Sequence, residues 1–308
     1  MDLRGRDLVS MDDLSPEEVA WILDTAADLK RRRGSPDHPR PLAGKVLAMI
    51  FEKPSLRTRV TFEVAMLELG GHAVYLGPQD IQMGVRESVP DVARNLSRWV
   101  HGIMARTFSH RTVEVLAEHA AVPVINGLSD REHPCQTLGD LLTIRERFGR
   151  LDGLRVAWVG DGNNVCHSLL LGAAKVGLSV TVATPPAYAP DPAIVSRARQ
   201  IATRTGARLE VGTDPQAAVR GADVIYTDVW VSMGQEDQRA GKLAAFAGYQ
   251  VNAALVALAA SHGVVMHCLP AHRGEEITDD VLDGPRSVVL DQAENRLHAQ
   301  KALLALVL

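Results

Sequence analysis

Apolar residues along the chain fall into short runs separated by stretches in which they recur at three- and four-residue spacing. Strand-like runs at 45–51, 73–76, 102–106 and 122–125 alternate with helix-like stretches at 57–69, 88–100, 111–120 and 134–148. After Gly149 a second series places strand-like runs at 154–159, 179–183, 208–212, 223–229, 264–269 and 287–290, separated by helical segments or turn-rich loops. Such alternation marks parallel sheets with crossover helices. The pattern predicts an α/β chain of two doubly wound parallel-sheet domains of similar size, residues 1–149 and 150–308. A closing helix at about 293–308 is expected to pack back on the first domain. One helix precedes the series. Ser15 can cap it, Pro16 suits its first turn, Glu18 completes a capping box, and Arg31-Arg32-Arg33-Gly34 ends it.

Composition narrows the function classes. At 308 residues the chain exceeds the roughly 250 to 300 at which single cores stop growing, and 46% hydrophobic with 23% charged residues excludes disorder. Subtracting 37 acidic from 33 basic residues leaves −4, so no global positive field exists to hold nucleic acid. Cys135, Cys166 and Cys268 are odd in number and widely spaced, which argues against a disulfide framework or a thiolate zinc site and for a reducing compartment. The charged start, Met1-Asp2-Leu3-Arg4, leads into no apolar signal region, and no apolar run approaches the roughly 18 residues that span a bilayer. A cytoplasmic protein with no membrane partner is expected.

Doubly wound sheets bind ligands beyond the carboxyl ends of their strands, so the loops there carry the candidate chemistry. After the first strand comes Glu52-Lys53-Pro54-Ser55-Leu56-Arg57-Thr58-Arg59 and then a helix. A helix start presents unpaired N–H groups with the positive dipole end behind them. The Ser55 and Thr58 hydroxyls and the Arg57 and Arg59 guanidinium groups add donors suited to phosphate oxygens. A capped helix with solvated arginines accounts for the segment about as well. The Walker glycine pattern is absent, which disfavours a nucleoside triphosphate. Arg106 ends another strand. His133-Pro134-Cys135-Gln136 opens a helix, with Pro134 at its first position and the imidazole just outside, able to donate to a ligand carbonyl.

In the second half, Gly160-Asp161-Gly162-Asn163-Asn164-Val165 approaches a dinucleotide fingerprint. No Asp or Glu falls between Gly162 and Asp191, where an acid should hold a ribose hydroxyl, so a Rossmann-like NAD-dependent oxidoreductase is a remote alternative. Asn163 and Asn164 suit a polar zwitterion or a left-handed turn. Asp228 ends a strand before Ser232-Met233-Gly234, where it could meet an ammonium group or cap a turn. Finally, Val264-Val265-Met266 runs into His267-Cys268-Leu269-Pro270, whose thiol could be inert or nucleophilic.

Taken in order, Ser55-Leu56-Arg57-Thr58-Arg59, His133-Pro134-Cys135-Gln136, Asp228 with Ser232-Met233-Gly234, and His267-Cys268-Leu269-Pro270 resemble the aspartate/ornithine carbamoyltransferase family. The likeness covers essentially the whole chain, including Glu294-Asn295-Arg296. Leu56 departs from the family's commonest threonine, at a position where the family uses the backbone. The resemblance implies that Ser55, Leu56, Arg57 and Thr58 cradle the phosphate of carbamoyl phosphate. It implies that Arg106 bridges phosphate and carbonyl oxygen, that His133 donates to that carbonyl, and that Arg296 completes the anion pocket. Gln136 and the backbone carbonyls of Cys268 and Leu269 would orient the carbamoyl NH2, with Pro134 and Cys135 in the same subsite. Gln82 would reach a neighbouring subunit's site, in a homotrimer or a multiple of trimers. Asn164, Asp228, Ser232 and Met233 would hold the amino-acid end of L-ornithine, with Cys268 near its attacking δ-amine. The implied reaction yields L-citrulline in arginine biosynthesis and needs no metal or redox cofactor. Asp228 and Cys268 remain alternatives for taking the amine's proton. The loop forms match ornithine enzymes, with putrescine or another amine as the alternative acceptor.

Overall fold

The computed structural model describes residues 2–232, 234 and 236–308; Met233, one of the expected ornithine contacts, lies outside the described residues. The chain divides into two compact units, Met1–Leu142 with Glu294–Leu308, and Thr143–Ala293.

The first unit holds a four-stranded parallel sheet of β1 (Val46–Phe51), β2 (His72–Leu76), β3 (Gly102–Arg106) and β4 (Val124–Leu128), in the order β2-β1-β3-β4. The central strands β1 and β3 are buried almost throughout, as strands covered on both faces must be. Ala48, Ile50, Ile103 and Ala105 form one cluster with Val92, Ala93 and Leu96 of the helix Val89–Leu96 and Val113 and Leu116 of the helix His110–His119. The C-terminal segment belongs to this unit. Its Lys301, fully buried, pairs with Glu68, and Asn295 Oδ1 accepts from Lys30 Nζ at 2.9 Å.

The second unit holds β5 (Arg155–Val159), β6 (Ser179–Ala183), β7 (Leu209–Gly212), β8 (Val224–Thr227) and β9 (Val264–His267), all parallel, in the order β7-β6-β5-β8-β9. Ala157, Val159, Ile225 and Val265 pack with Trp230, Phe246, Val251 and Ile277 in its core. The two doubly wound sheets are thus present, but the run 287–290 is no strand. Ser287 makes one isolated bridge to Val265, and Val289 opens a 19-residue helix, Val289–Val307. A run of three apolar residues after Ser287 cannot decide between strand and helix by periodicity alone, and here the longer helix wins.

In each sheet the strand order reverses once, between β1 and β3 and between β5 and β8. Successive crossovers leave these neighbours in opposite directions and open a crevice at their carboxyl ends. Ser55 and Arg106 follow or end β1 and β3, while Gly160–Asn164 and Asp228 follow β5 and β8.

Candidate functional site

In the first unit, Phe51 lies level with Arg106 across the β1–β3 ladder, and Glu52 N donates to Arg106 O at 2.9 Å. The β3–β4 register shifts between Ala105 and Arg106, with Gly127 of β4 left as the extra residue, an irregularity of the kind found beside binding sites. Ser55 caps the helix Leu56–Glu68, its Oγ accepting from Thr58 N at 3.2 Å, so the first-turn amides stay at the mouth of the β1 loop. Leu56 is exposed at this turn.

His133 precedes the helix Pro134–Phe148, and Gln136 N donates back to His133 O at 3.0 Å. The turn is anchored by buried Glu132, which accepts from Ser10 Oγ at 2.5 Å and Met11 N at 2.9 Å. Cys135 is buried, and burial pushes its thiol up to about 12, so it is inert at neutral pH.

Arg296 joins these parts. It is 2% exposed, and its Nη1 donates to Gln136 Oε1 at 2.6 Å and lies 3.4 Å from His133 Nε2, while Nη2 donates to Thr58 Oγ1 at 3.4 Å. Gln136 Nε2 in turn donates to Asp140 Oδ1 at 2.8 Å. Gly139 lets the chain at Arg296 come close, since a Cβ there would lie 3.2 Å from Arg296 Cδ and 3.3 Å from its N. Burial, then the charges of Arg296, Arg106, Lys53 and Arg57, hold the His133 imidazole well below the usual histidine range. The result is a neutral buried imidazole among four cations, which suits a dianion with a carbonyl beside it.

Lys53 was not singled out from sequence. It is buried over the Phe108 ring, 5.0 Å from the centroid, and burial aided by the Arg106 charge pulls its amine down to about 8. Its place inside the anion loop was the available signal. Gln82 ends the short helix Pro78–Ile81 on an exposed loop. It is left-handed at φ 45°, and Leu269 at φ 57° is the other non-glycine residue so placed among the described residues. That conformation costs an L-residue about 1–2 kcal/mol.

In the second unit, Asp228 lies just past β8 and is nearly buried. Its Oδ1 accepts from Cys268 Sγ and Val229 N at 2.9 and 2.8 Å, and its Oδ2 accepts from Asn163 Nδ2 at 2.7 Å. Asn163 also caps the helix Asn164–Lys175. Thus Asn163 reaches the carboxylate, while Asn164 opens the helix, and Ser232 is half-buried in the following loop. Lys242, missed in the sequence, is buried against Asp161 with Nζ 2.5 Å from Oδ2, at the carboxyl end of β5. Burial raises the Asp161 carboxyl despite the Lys242 bond.

The dinucleotide reading loses its main support here. A Cβ on Gly162 would lie 2.3 Å from Pro190 N and 2.6 Å from its Cδ, so close chain packing already requires that glycine. Among the described residues, Asp228, His267 and Cys268 form one group with potential cation ligands within 4.8 Å, and His272, Glu275 and Glu276 another. In the first, His267 has no nitrogen to offer, since Nδ1 accepts from Leu269 N and Nε2 faces Glu276.

Sequence comparison matches residues 6–146 to the carbamoyl-P binding domain, and residues 152–307 to the Asp/Orn binding domain, of aspartate/ornithine carbamoyltransferase. An ornithine carbamoyltransferase of Symbiobacterium thermophilum is 55% identical over 306 residues, covering 99% of this chain and 99% of its own. One from Pyrococcus horikoshii is 56% identical over 310 residues, covering 100% and 97%. The solved ornithine carbamoyltransferase of Pyrococcus furiosus superposes with a TM-score of 0.97 at 55% identity, covering 100% of this chain and 98% of that one. With both halves matched and more than half of the residues identical in full-length relatives, the chain belongs to the aspartate/ornithine carbamoyltransferase family.

Proposed function

We propose that the chain transfers the carbamoyl group from carbamoyl phosphate to the δ-amine of L-ornithine, giving L-citrulline and phosphate. The observation that carries this reading is buried His133, neutral among Arg57, Arg106, Arg296 and Lys53. A neutral imidazole is a hydrogen-bond donor matched to a carbonyl, and the surrounding cations match a phosphate leaving group. The full-length relatives that carry the ornithine carbamoyltransferase name support the choice of acceptor, as does the Ser232-Met233-Gly234 loop.

In this reading, the backbone and side chains of Ser55, Leu56, Arg57 and Thr58 hold the phosphate, and Arg106 spans phosphate and carbonyl oxygen. His133 donates to the carbonyl. Arg296 fixes Gln136, which orients the carbamoyl NH2 with the carbonyls of Cys268 and Leu269, while Pro134 and Cys135 line the subsite. Asn164, Asp228, Ser232 and Met233 take the amino-acid end of ornithine. The δ-amine gives up its ammonium proton to Asp228 or Cys268 and, now neutral, attacks the carbamoyl carbon; the N–H proton it loses on forming the new C–N bond leaves with the phosphate as the C–O bond breaks. The negative charge that develops on its oxygen meets His133 and Arg106, and the tetrahedral intermediate expels phosphate to the arginine cluster.

The assembly is a homotrimer or a multiple of trimers, with Gln82 serving a neighbouring copy. Exposed Leu56, Val60 and Leu67 on one helix, beside Val74 of edge strand β2, supply an apolar surface for such contact. Three free cysteines support a reducing, cytoplasmic setting; the reading takes arginine synthesis as the direction. Among the described residues no helix is long and apolar enough to cross a membrane. A timed assay tests the reaction. Citrulline forms from carbamoyl phosphate and ornithine, whereas equal rates with putrescine overturn the acceptor assignment.

A further inference from the structure

In the motif at the end of β9, the chemistry above gives the side chain of His267 no task. Its side chain and that of Glu276 are both fully buried. Nδ1 of His267 accepts from the Leu269 amide at 2.9 Å. A backbone amide can only donate, so Nδ1 carries the lone pair and the ring proton is on Nε2. Nε2 lies 2.9 Å from Glu276 Oε1 and donates to it. The same oxygen accepts His272 N at 2.6 Å, and Gln292 Oε1 accepts His267 N at 2.9 Å. Both ring nitrogens and the backbone of His267 are therefore fixed.

A buried His–Glu pair commonly ties distant elements together. Here the second ring nitrogen instead bonds two residues along its own chain, to a residue in the left-handed region. Between the two lies Cys268, whose thiol donates to Asp228 Oδ1 at 2.9 Å. The bond from Leu269 N to Nδ1 therefore fixes the turn that sets where the Cys268 and Leu269 carbonyls and the Cys268 thiol point. A Glu that selects the tautomer of a His, which in turn orients a reacting group, is a recurring positioning arrangement.

We propose that Glu276, acting through the imidazole of His267, is the positioning group for the Cys268–Leu269 turn in carbamoyl transfer. This rests on the role given above to the two carbonyls. His267 and Glu276 touch neither substrate; they act by holding the turn.

Three variants test it, each purified and assayed with carbamoyl phosphate, ornithine and inorganic phosphate as inhibitor. His267→Leu removes both ring bonds, His267→Asn keeps an acceptor near the Nδ1 position, and Glu276→Gln keeps an acceptor but no longer dictates the tautomer. With His267→Leu, kcat falls by on the order of 10- to 100-fold and the KM for carbamoyl phosphate rises. Inhibition by inorganic phosphate stays within about twofold, because other residues hold the phosphate. His267→Asn recovers most of the loss. A purely structural role gives a lower melting temperature and active fraction with unchanged KM values. That pattern, or an Asn variant no better than the Leu variant, overturns the proposal. If the Leu variant does not fold, the imidazole 15N shifts of the unaltered protein decide. An Nε2–H tautomer that becomes mixed in Glu276→Gln as kcat falls supports the proposal, and an Nδ1–H tautomer in the unaltered protein overturns it. Arg57→Ala is the separate control: if carbamoyl phosphate KM and phosphate inhibition both stay unchanged there, the phosphate-clamp reading fails independently of the turn.

Discussion

Replacing Arg296 with methionine keeps an apolar stem of similar length and removes the charge. The charge-assisted bond from Nη1 to Gln136 Oε1, at 2.6 Å, is of a kind that contributes about 1.5–3 kcal/mol. Its loss leaves a buried amide oxygen without that donor, at a cost of about 1–3 kcal/mol. Against this, Arg296 is one of four cations around His133, and removing it relieves like-charge repulsion and the desolvation of a buried guanidinium. The opposing effects largely cancel in the ligand-free protein, so the melting temperature shifts by only a few degrees. With phosphate bound the balance differs, because the anion loses a buried cation worth about 2–5 kcal/mol, or roughly 30- to several-thousand-fold in Kd. Calorimetric titration with inorganic phosphate and with carbamoyl phosphate reads this directly. NMR titration should show the His133 pKa rising once the largest charge contribution is gone. Phosphate affinity unchanged in a folded Arg296→Met protein would refute the reasoning.

Other outcomes follow from single residues. The Lys53 amine, at about 8, is charged below that pH and neutral above it, so carbamoyl phosphate affinity should weaken as pH rises through 8. Lys53→Met should abolish that step, and a profile unaltered by the substitution removes Lys53 from the anion site. Gly162→Ala should lower the melting temperature by the equivalent of about 1–3 kcal/mol, since its methyl would meet Pro190; an unchanged melting temperature contradicts the packing argument. Burial lowers His298 to about 4, so between about 6.5 and 4 the unfolded chain takes up a proton that the folded chain does not. Stability should therefore fall by about 3 kcal/mol across that acid window, and His298→Phe should flatten the fall in denaturant titrations at stepped pH.

Much of the fold was legible because its signals are local. The helix 134–148 was placed correctly at both ends, since Pro134 fits only a first turn and the apolar spacing continues to Phe148. The Ser55 and Ser15 caps likewise follow from side chains that serve the neighbouring backbone. The run 287–290 was misread because its apolar residues suit either element, and only the longer helix continuing from Val289 decides. In the site, Ser55, Arg106, His133 and Asp228 were visible as polar residues at strand ends or helix starts. Lys53, Lys242 and Glu276 were not. A charged residue in a charged neighbourhood reads as solvated surface, and only tertiary burial against Phe108, Asp161 or His267 distinguishes it. Gly162 shows the opposite ambiguity, part of a pattern suggestive of a cofactor where packing against Pro190 is sufficient cause.

The placement of carbamoyl phosphate tests the account most directly. A crystal structure with that substrate should show its phosphate oxygens within hydrogen-bond reach of the first-turn amides after Ser55 and of Arg57 and Arg106, with its carbonyl oxygen on His133. Carbamoyl phosphate bound elsewhere, with the arginines around His133 making no contact to it, would contradict the account.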